Sequence, residues 1–364
     1  MRTANPGSRF TARVVYAAAH VVADPDADNG PGRPAILDWD ATLRFREHLW
    51  SLGFGIADAM DTAQRGMGLD WPATQELIRR SGAAARAVDA ADVPSLLACG
   101  AGTDQLAAGA RPLAAVRAAY EEQLGVVEAA GARVILMASR ALAASARSAE
   151  DYLEVYGSLL AQSSNPVILH WLGDMFDPAL AGYWGSRDIP TATATVLELI
   201  NAHPDKVDGI KVSLLKAEYE IDLRRRLPEG VRLYTGDDFN YPELIKGDEL
   251  GHSDALLGIF DGIARPASQA LHALDEGDLE TYDRLMTPTI ALSRHIFETP
   301  TFHYKAGLVF LAYLNGHQDH FRMVGGLETA RDAAHLTELY RLARVAGVVD
   351  DADLAEARFQ AVVA

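Results

Sequence analysis

From its first apolar run to Pro266, the chain alternates short apolar stretches with longer segments whose apolar residues recur at helical spacing. Residues 14–18 read as the first strand, followed by a Gly/Pro/Asp loop at 24–33 and a helix over 38–52. Asp38 or Asp40 caps that helix, and Leu43, Leu49 and Leu52 mark its apolar side. The alternation continues as strand 54–57 with helix 71–88, strand 95–99 with helix 112–130, and strand 134–137 with helix 149–162. A fifth strand at 166–170 leads to a helix at 191–202, Lys211 closes a sixth strand, 233–235 is the seventh and 255–260 the eighth. Past Pro266 the strand signal stops, and 268–275, 279–297, 304–314, 327–345 and 351–363 all read as helices.

Eight strands alternating with helices predict an α/β fold, a (β/α)8 or TIM barrel over residues 1–265, carrying a C-terminal α-helical extension over 266–364. In such barrels the chemistry collects at the C-terminal ends of the strands. The residues expected there are His20, the run Asp61-Thr62-Ala63-Gln64-Arg65, Ser139 and Arg140, His170, Lys211, and Asp237 with Asp238.

Composition narrows the possibilities. With 364 residues, 49% hydrophobic and 23% charged, the chain is of ordinary globular make-up. No apolar run approaches the ~18 residues of a membrane span. A formal net charge of -17 and the lack of a basic stripe argue against a nucleic-acid partner. The apolar segment 13–22 is interrupted by Tyr16 and His20 and followed by Asp24, Asp26 and Asp28, which suits a strand better than a secretion signal, so a cytoplasmic protein is expected. The single cysteine, Cys99, rules out an intrachain disulfide and, after Leu96-Leu97-Ala98, reads as a packing residue.

One charge is out of place. Lys211 sits within the apolar run Val207–Val212, in a chain that has only five lysines among its 33 basic residues. Arginine cannot do amine chemistry, whereas burial lowers a lysine's pKa and frees an amine that can attack a carbonyl to form a Schiff base. The alternative is a strand-end lysine that reaches to solvent.

The segments Gly209-Ile210-Lys211, Thr235-Gly236-Asp237-Asp238, Asn165-Pro166-Val167-Ile168-Leu169-His170 and Leu37-Asp38-Trp39-Asp40-Ala41, in that spacing and with Pro266 after the eighth strand, resemble the dihydrodipicolinate synthase and N-acetylneuraminate lyase superfamily. The resemblance runs from about residue 12 to about residue 325. It implies a class I, Schiff-base-forming lyase or aldolase in which Lys211 forms an imine with a 2-oxo acid or keto-sugar acid, and a homo-oligomer, a dimer or tetramer. No cofactor is implied. The chain also departs from the family pattern. Asp61-Thr62-Ala63-Gln64-Arg65 stands where the family has Gly-Thr-Thr-Gly-Glu, so Thr62 keeps one of two hydroxyls that hold the substrate carboxylate, and Arg65 replaces an acid. His170 stands in place of the proton-shuttling Tyr of the fifth strand, and the position of the second relay Tyr falls near Ala144. These departures mark a divergent branch and leave pyruvate unassigned as the substrate.

The candidate site is therefore Lys211 and His170 as catalytic residues, with Thr62, Gln64, Arg65, Arg140, Gly236, Asp238 and His20 holding a small anionic carbonyl substrate. An imidazole at the position of His170 suits acid–base work near neutral pH, or else a structural bond at the barrel rim. Arg65 and Arg140 suit a bidentate clamp on a carboxylate or phosphate, or rim ion pairs to Asp61 or Asp237. Asp237 and Asp238 suit a general base or hydroxyl-binding pair, or the cap of the next helix. His303, His317 and His320 fall in the extension, away from the strand ends, and no metal ligand set is assigned. Two other functions fit the same barrel: a metal-dependent sugar isomerase or epimerase using His20, His170, Asp58 and Asp238, and a non-catalytic small-molecule sensor. The sensor has no need of a buried amine.

Overall fold

The computed structural model describes residues 7–363, so the outer limits of the two expected domains, residues 1–6 and 364, lie outside it. Eight parallel strands close into a barrel in chain order: β1 (Val15–Ala18), β2 (Gly55–Asp58), β3 (Leu97–Ala101), β4 (Arg133–Leu136), β5 (Val167–Leu172), β6 (Val207–Ser213), β7 (Arg232–Thr235) and β8 (Asp254–Leu257). Almost every strand residue is buried, as parallel strands covered by helices require. Contacts along the chain gather it into two compact units, one made of the residues up to Leu77 together with Leu257 onward, the other of Ile78–Leu256.

In the first unit, the helix Trp39–Ser51 begins where the Asp38 carboxylate accepts a hydrogen bond from Ala41 N, and it buries Ala41, Phe45 and Leu49 at four-residue spacing. Its Arg46 is fully buried and forms a two-bond ion pair with Asp58 at the end of β2, with N···O distances of 2.8 and 3.1 Å. The helix Tyr304–Leu314 has every residue buried, and Leu279–Ile296, Ala333–Val345 and Ala352–Val363 pack against it, while Ala264–Asp275 packs against Leu279–Ile296.

Three boundaries differ clearly from the sequence reading here, the first being the helix expected at 268–275, which begins at Ala264. The eighth strand stops at Leu257, and Ile259–Asp261 is a buried 3-10 turn whose Ile259 and Phe260 continue the apolar run. The segment expected as one helix over 327–345 is instead a 3-10 stretch, Val324–Ala330, followed by a helix that restarts where Asp332 accepts from His335 N. The break lies at Arg331 and Asp332, whose backbone is extended and cannot carry a helix across.

In the second unit, β5 and β6 pair His170 with Lys211, and β6 and β7 pair Lys211 with Tyr234. Strand β3 starts two residues later than expected because Asp92 and Pro94 open a helical turn, Val93–Leu96. Strand β6 runs two residues past Lys211, to Ser213.

Candidate active site

Side chains alternate across a strand, so one outward contact fixes which residues face inward. Thr235 Oγ1 donates to Glu220 Oε2 at 3.0 Å, and Glu220 lies on the helix Ala217–Arg226 that covers the strands. Thr235 therefore faces the helix layer, and Tyr234 and Gly236 face the other way. A Cβ built on Gly236 would lie 2.7 Å from Lys211 Cε and 2.2 Å from Ser213 Oγ, so both side chains cross the inner face of Gly236. Only a residue without a side chain leaves that slot open for the lysine stem. Gly209, two residues before Lys211, has the same need: its Cβ would meet Tyr234 Cε2 at 2.7 Å and the Arg232 carbonyl at 2.6 Å.

His170 lies beside this slot. It is fully buried, its Nε2 is 3.4 Å from Ser213 Oγ, and its Nδ1 has no hydrogen-bond partner. Burial, and then the charge of Lys211, hold its pKa well below the usual imidazole value. The ring is neutral at pH 7, with one nitrogen unspent.

The C-terminal ends of β5 and β6 open on a cavity of about 320 Å³ lined by Trp171, Leu172, Tyr183, Arg187, Lys216 and Tyr219 among others. That is within the size of small-molecule sites. The Lys216 ammonium lies 5.5 Å from the centre of the Tyr219 ring.

Beyond β4, three phenols that the sequence reading missed meet at a buried point. Tyr120 donates to the Met137 carbonyl at 2.5 Å, Tyr156 and Tyr183 share a hydrogen bond of 2.8 Å, and Ser139 N donates to the Tyr183 hydroxyl at 2.9 Å. Burial raises Tyr156 and Tyr183 well above the ordinary phenol value, and Tyr120 to about 12. The tyrosines come from two helices and a 3-10 turn, so no local motif announces them. Arg140, next to Ser139, is about half exposed and pairs with Asp177.

After β7, Asp237 is buried and accepts from Phe239 N at 2.9 Å and Asn240 N at 3.0 Å, the local capping arrangement. Asp238 is also buried.

The candidates on the first unit's strands are tied into their own networks. His20 Nδ1 lies 2.8 Å from Asp261 Oδ2 and its Nε2 lies 3.2 Å from Gln318 Oε1, so both ring nitrogens are engaged. Both oxygens of Asp58 accept from Arg46. Thr62 Oγ1 and the Tyr304 hydroxyl are 2.9 Å apart. Gln64, at positive φ, donates to the carbonyls of Met67 and Val324 and keeps its Oε1 buried without a partner. Arg65 is nearly buried, donates to the Ala59 carbonyl at 3.2 Å and lies over the Trp71 ring at 5.7 Å. In the extension, His317 packs against His48 and Phe45, and His320 Nδ1 accepts from Arg322 N.

A family model described as "Protein of unknown function (DUF993)" matches residues 1–364. No curated protein sequence matches the chain. Solved structures do. The dihydrodipicolinate synthase from Bacteroides thetaiotaomicron is 15% identical with a TM-score of 0.66, covering 91% of this chain and 98% of its own. The Thermotoga maritima dihydrodipicolinate synthase is 14% identical with a TM-score of 0.63, covering 92% and 99%. That from Aquifex aeolicus is 13% identical with a TM-score of 0.63, covering 92% and 99%. At these identities the likeness is one of fold: the barrel with a helical C-terminal part. No helix among the described residues is long and apolar enough to cross a membrane.

Proposed function

The chain belongs to the DUF993 family, and on the strength of its own barrel residues we propose that it is a class I lyase of aldolase type, forming a Schiff base between Lys211 and a 2-oxo acid or keto-sugar acid. The observation that carries this reading is the placement of Lys211: a buried amine stem over the bare face of Gly236, beside an imidazole that is neutral and has a free nitrogen.

Lys211, once its ammonium has given up a proton, adds through the free amine to the ketone carbon, and the carbinolamine loses water. The protonated imine then takes up the electron pair of the carbon–carbon bond that breaks or, in a dehydration, of the neighbouring C–H bond, and the enamine so formed expels the β-hydroxyl as water. His170 Nδ1 accepts the proton released in that step and returns it to the product, a role open to a neutral ring with no competing partner. The proposed substrate is a small anionic carbonyl compound; Arg187 and Lys216 bring positive charge to the cavity at the ends of β5 and β6, whose lining does not itself include Lys211 or His170. On this reading Gly236 and Asp238 belong to the floor of the site, Arg140 to its rim and Arg65 to anion binding. Thr62, Gln64 and His20 are proposed as substrate-binding residues by resemblance, each hydrogen-bonded within the first unit.

The test is reductive trapping. Incubation with a panel of 2-oxo acids and keto-sugars plus borohydride, read by intact mass, is expected to yield an adduct on the wild type and none on Lys211→Arg, which keeps the charge but is no nucleophile. A His170→Ala variant should still trap but turn over slowly. Full activity of Lys211→Arg on the substrate that the wild type converts would refute the reading.

A further inference from the structure

The extension brings together three side chains that the proposed lyase chemistry leaves unused. His295 lies in the last turn of the helix Leu279–Ile296, Glu298 follows that helix, and His335 lies in the first turn of the helix Ala333–Val345. One donor atom of each lies within 4.8 Å of the others. We propose that His295, Glu298 and His335 form a binding site for a divalent transition metal of the zinc type, separate from the barrel site.

Hydrogen bonding prepares His295 for this role. Its Nε2 lies 3.0 Å from the backbone carbonyl of His335. A carbonyl only accepts, so Nε2 carries the hydrogen, and in the neutral ring Nδ1 presents a lone pair. That lone pair faces Glu298 Oε2 at 3.5 Å. Two electron-rich atoms turned toward each other call for a cation between them. Metal-bound histidines are typically held in this way, one ring nitrogen donating to a carbonyl and the other turned to the ion.

His335 is suited from the other side. Its Nδ1 lies 2.9 Å from Glu298 Oε1, and its side chain is 7% exposed. Its Nε2 is buried with no partner, so moving the ring proton from Nδ1 to Nε2 breaks no existing bond there. Glu298, 48% exposed, supplies one negative charge and leaves the fourth position of a tetrahedral ion open to water. The set of two imidazoles and one carboxylate is a zinc-type donor set; magnesium prefers oxygen ligands.

Two features set the strength of binding. Arg331 donates to the carbonyls of Glu298 and Pro300, and its charge opposes a second cation nearby. The two rings are stacked with centroids 4.1 Å apart and planes at 19°, so binding must splay them. His295, with a side chain 15% exposed, has room to turn.

The test uses full-length protein stripped with a chelator and then freed of it. Titration with Zn²⁺ at pH 7.5, followed by calorimetry, is expected to show one equivalent bound per chain, and Co²⁺ should give the visible absorption of a four-coordinate nitrogen–oxygen site. Mg²⁺ should give no binding heat. Glu298→Gln, a half-exposed change that the fold tolerates, should weaken Zn²⁺ binding at least tenfold, and His335→Ala should abolish it. Failure of the wild type to bind Zn²⁺, or equal affinity in Glu298→Gln, would overturn the proposal and leave a proton-held ion pair. Trapping on Lys211 is unaffected by either outcome.

Discussion

Replacing Gly236 by Ala probes the lysine slot directly. The new Cβ would lie 2.2 Å from Ser213 Oγ, 2.7 Å from Lys211 Cε and 2.9 Å from the Val212 carbonyl oxygen. Ser213 can rotate its hydroxyl away and the lysine stem can bend. The Val212 carbonyl cannot, because it is backbone and already accepts from Gly236 N at 2.8 Å. Overpacking of this kind costs about 1–3 kcal/mol. For a chain of this length unfolding in one step, that lowers Tm by roughly 1–4 °C. The kinetic effect should be larger. Restoring ordinary contact distance to the Cε moves the amine by about 1 Å, and a misplacement of about 1 Å costs on the order of 10²-fold in rate. The assay is the time course of borohydride trapping by intact mass, with calorimetry alongside, using a 2-oxo acid that traps on the wild type. Adding Ser213→Gly should recover part of the Tm but not the rate, since the lysine contact remains. Trapping at the wild-type rate in Gly236→Ala would refute the placement of the reactive amine over Gly236.

Two further predictions follow from other buried groups. Burial pushes the Glu220 carboxyl up to about 8, against the hydrogen bonds from Ser253 and Thr235. Between its unfolded value near 4.5 and that raised value the native state holds more protons than the unfolded chain, so stability falls as pH rises through this window. Glu220→Gln should therefore gain Tm relative to the wild type between pH 5 and pH 8; parallel curves would remove Glu220 as the source. Arg65→Ala should raise KM more than it lowers kcat if the guanidinium holds an anionic substrate equally in ground and transition states, and an unchanged KM would take Arg65 out of the site.

The barrel was legible because each of its strands is a short apolar run between turn signals, and a parallel sheet buries such runs on both faces. Boundaries were lost where hydrophobicity outlasts the strand. Ile259 and Phe260 are as buried as Leu256, so only Gly258 hints that β8 has ended. The cap at Asp332 was available in the sequence, but the apolar spacing across 327–345 masked it. In the site, Lys211 stood out as a charge in an apolar run, and the slot at Gly236 follows it by family pattern. Glu220, the tyrosines at β4, the Arg46–Asp58 pair and the His295–Glu298–His335 group gave no comparable signal, because each depends on a partner from another element, from 12 positions away for Arg46 and Asp58 to 37 for Glu298 and His335.

The loop after β2 has a consequence for how this protein can be rebuilt. Thr62 bonds to Tyr304, Gln64 bonds to the Val324 carbonyl, and a side chain on Gly68 would strike that same carbonyl at 2.7 Å. Loop and tail are thus complementary surfaces, although 242 positions separate Thr62 from Tyr304. In a gene-fusion or recombination experiment they have to travel together: a tail exchanged without the 58–68 segment would arrive against a loop shaped for a different one.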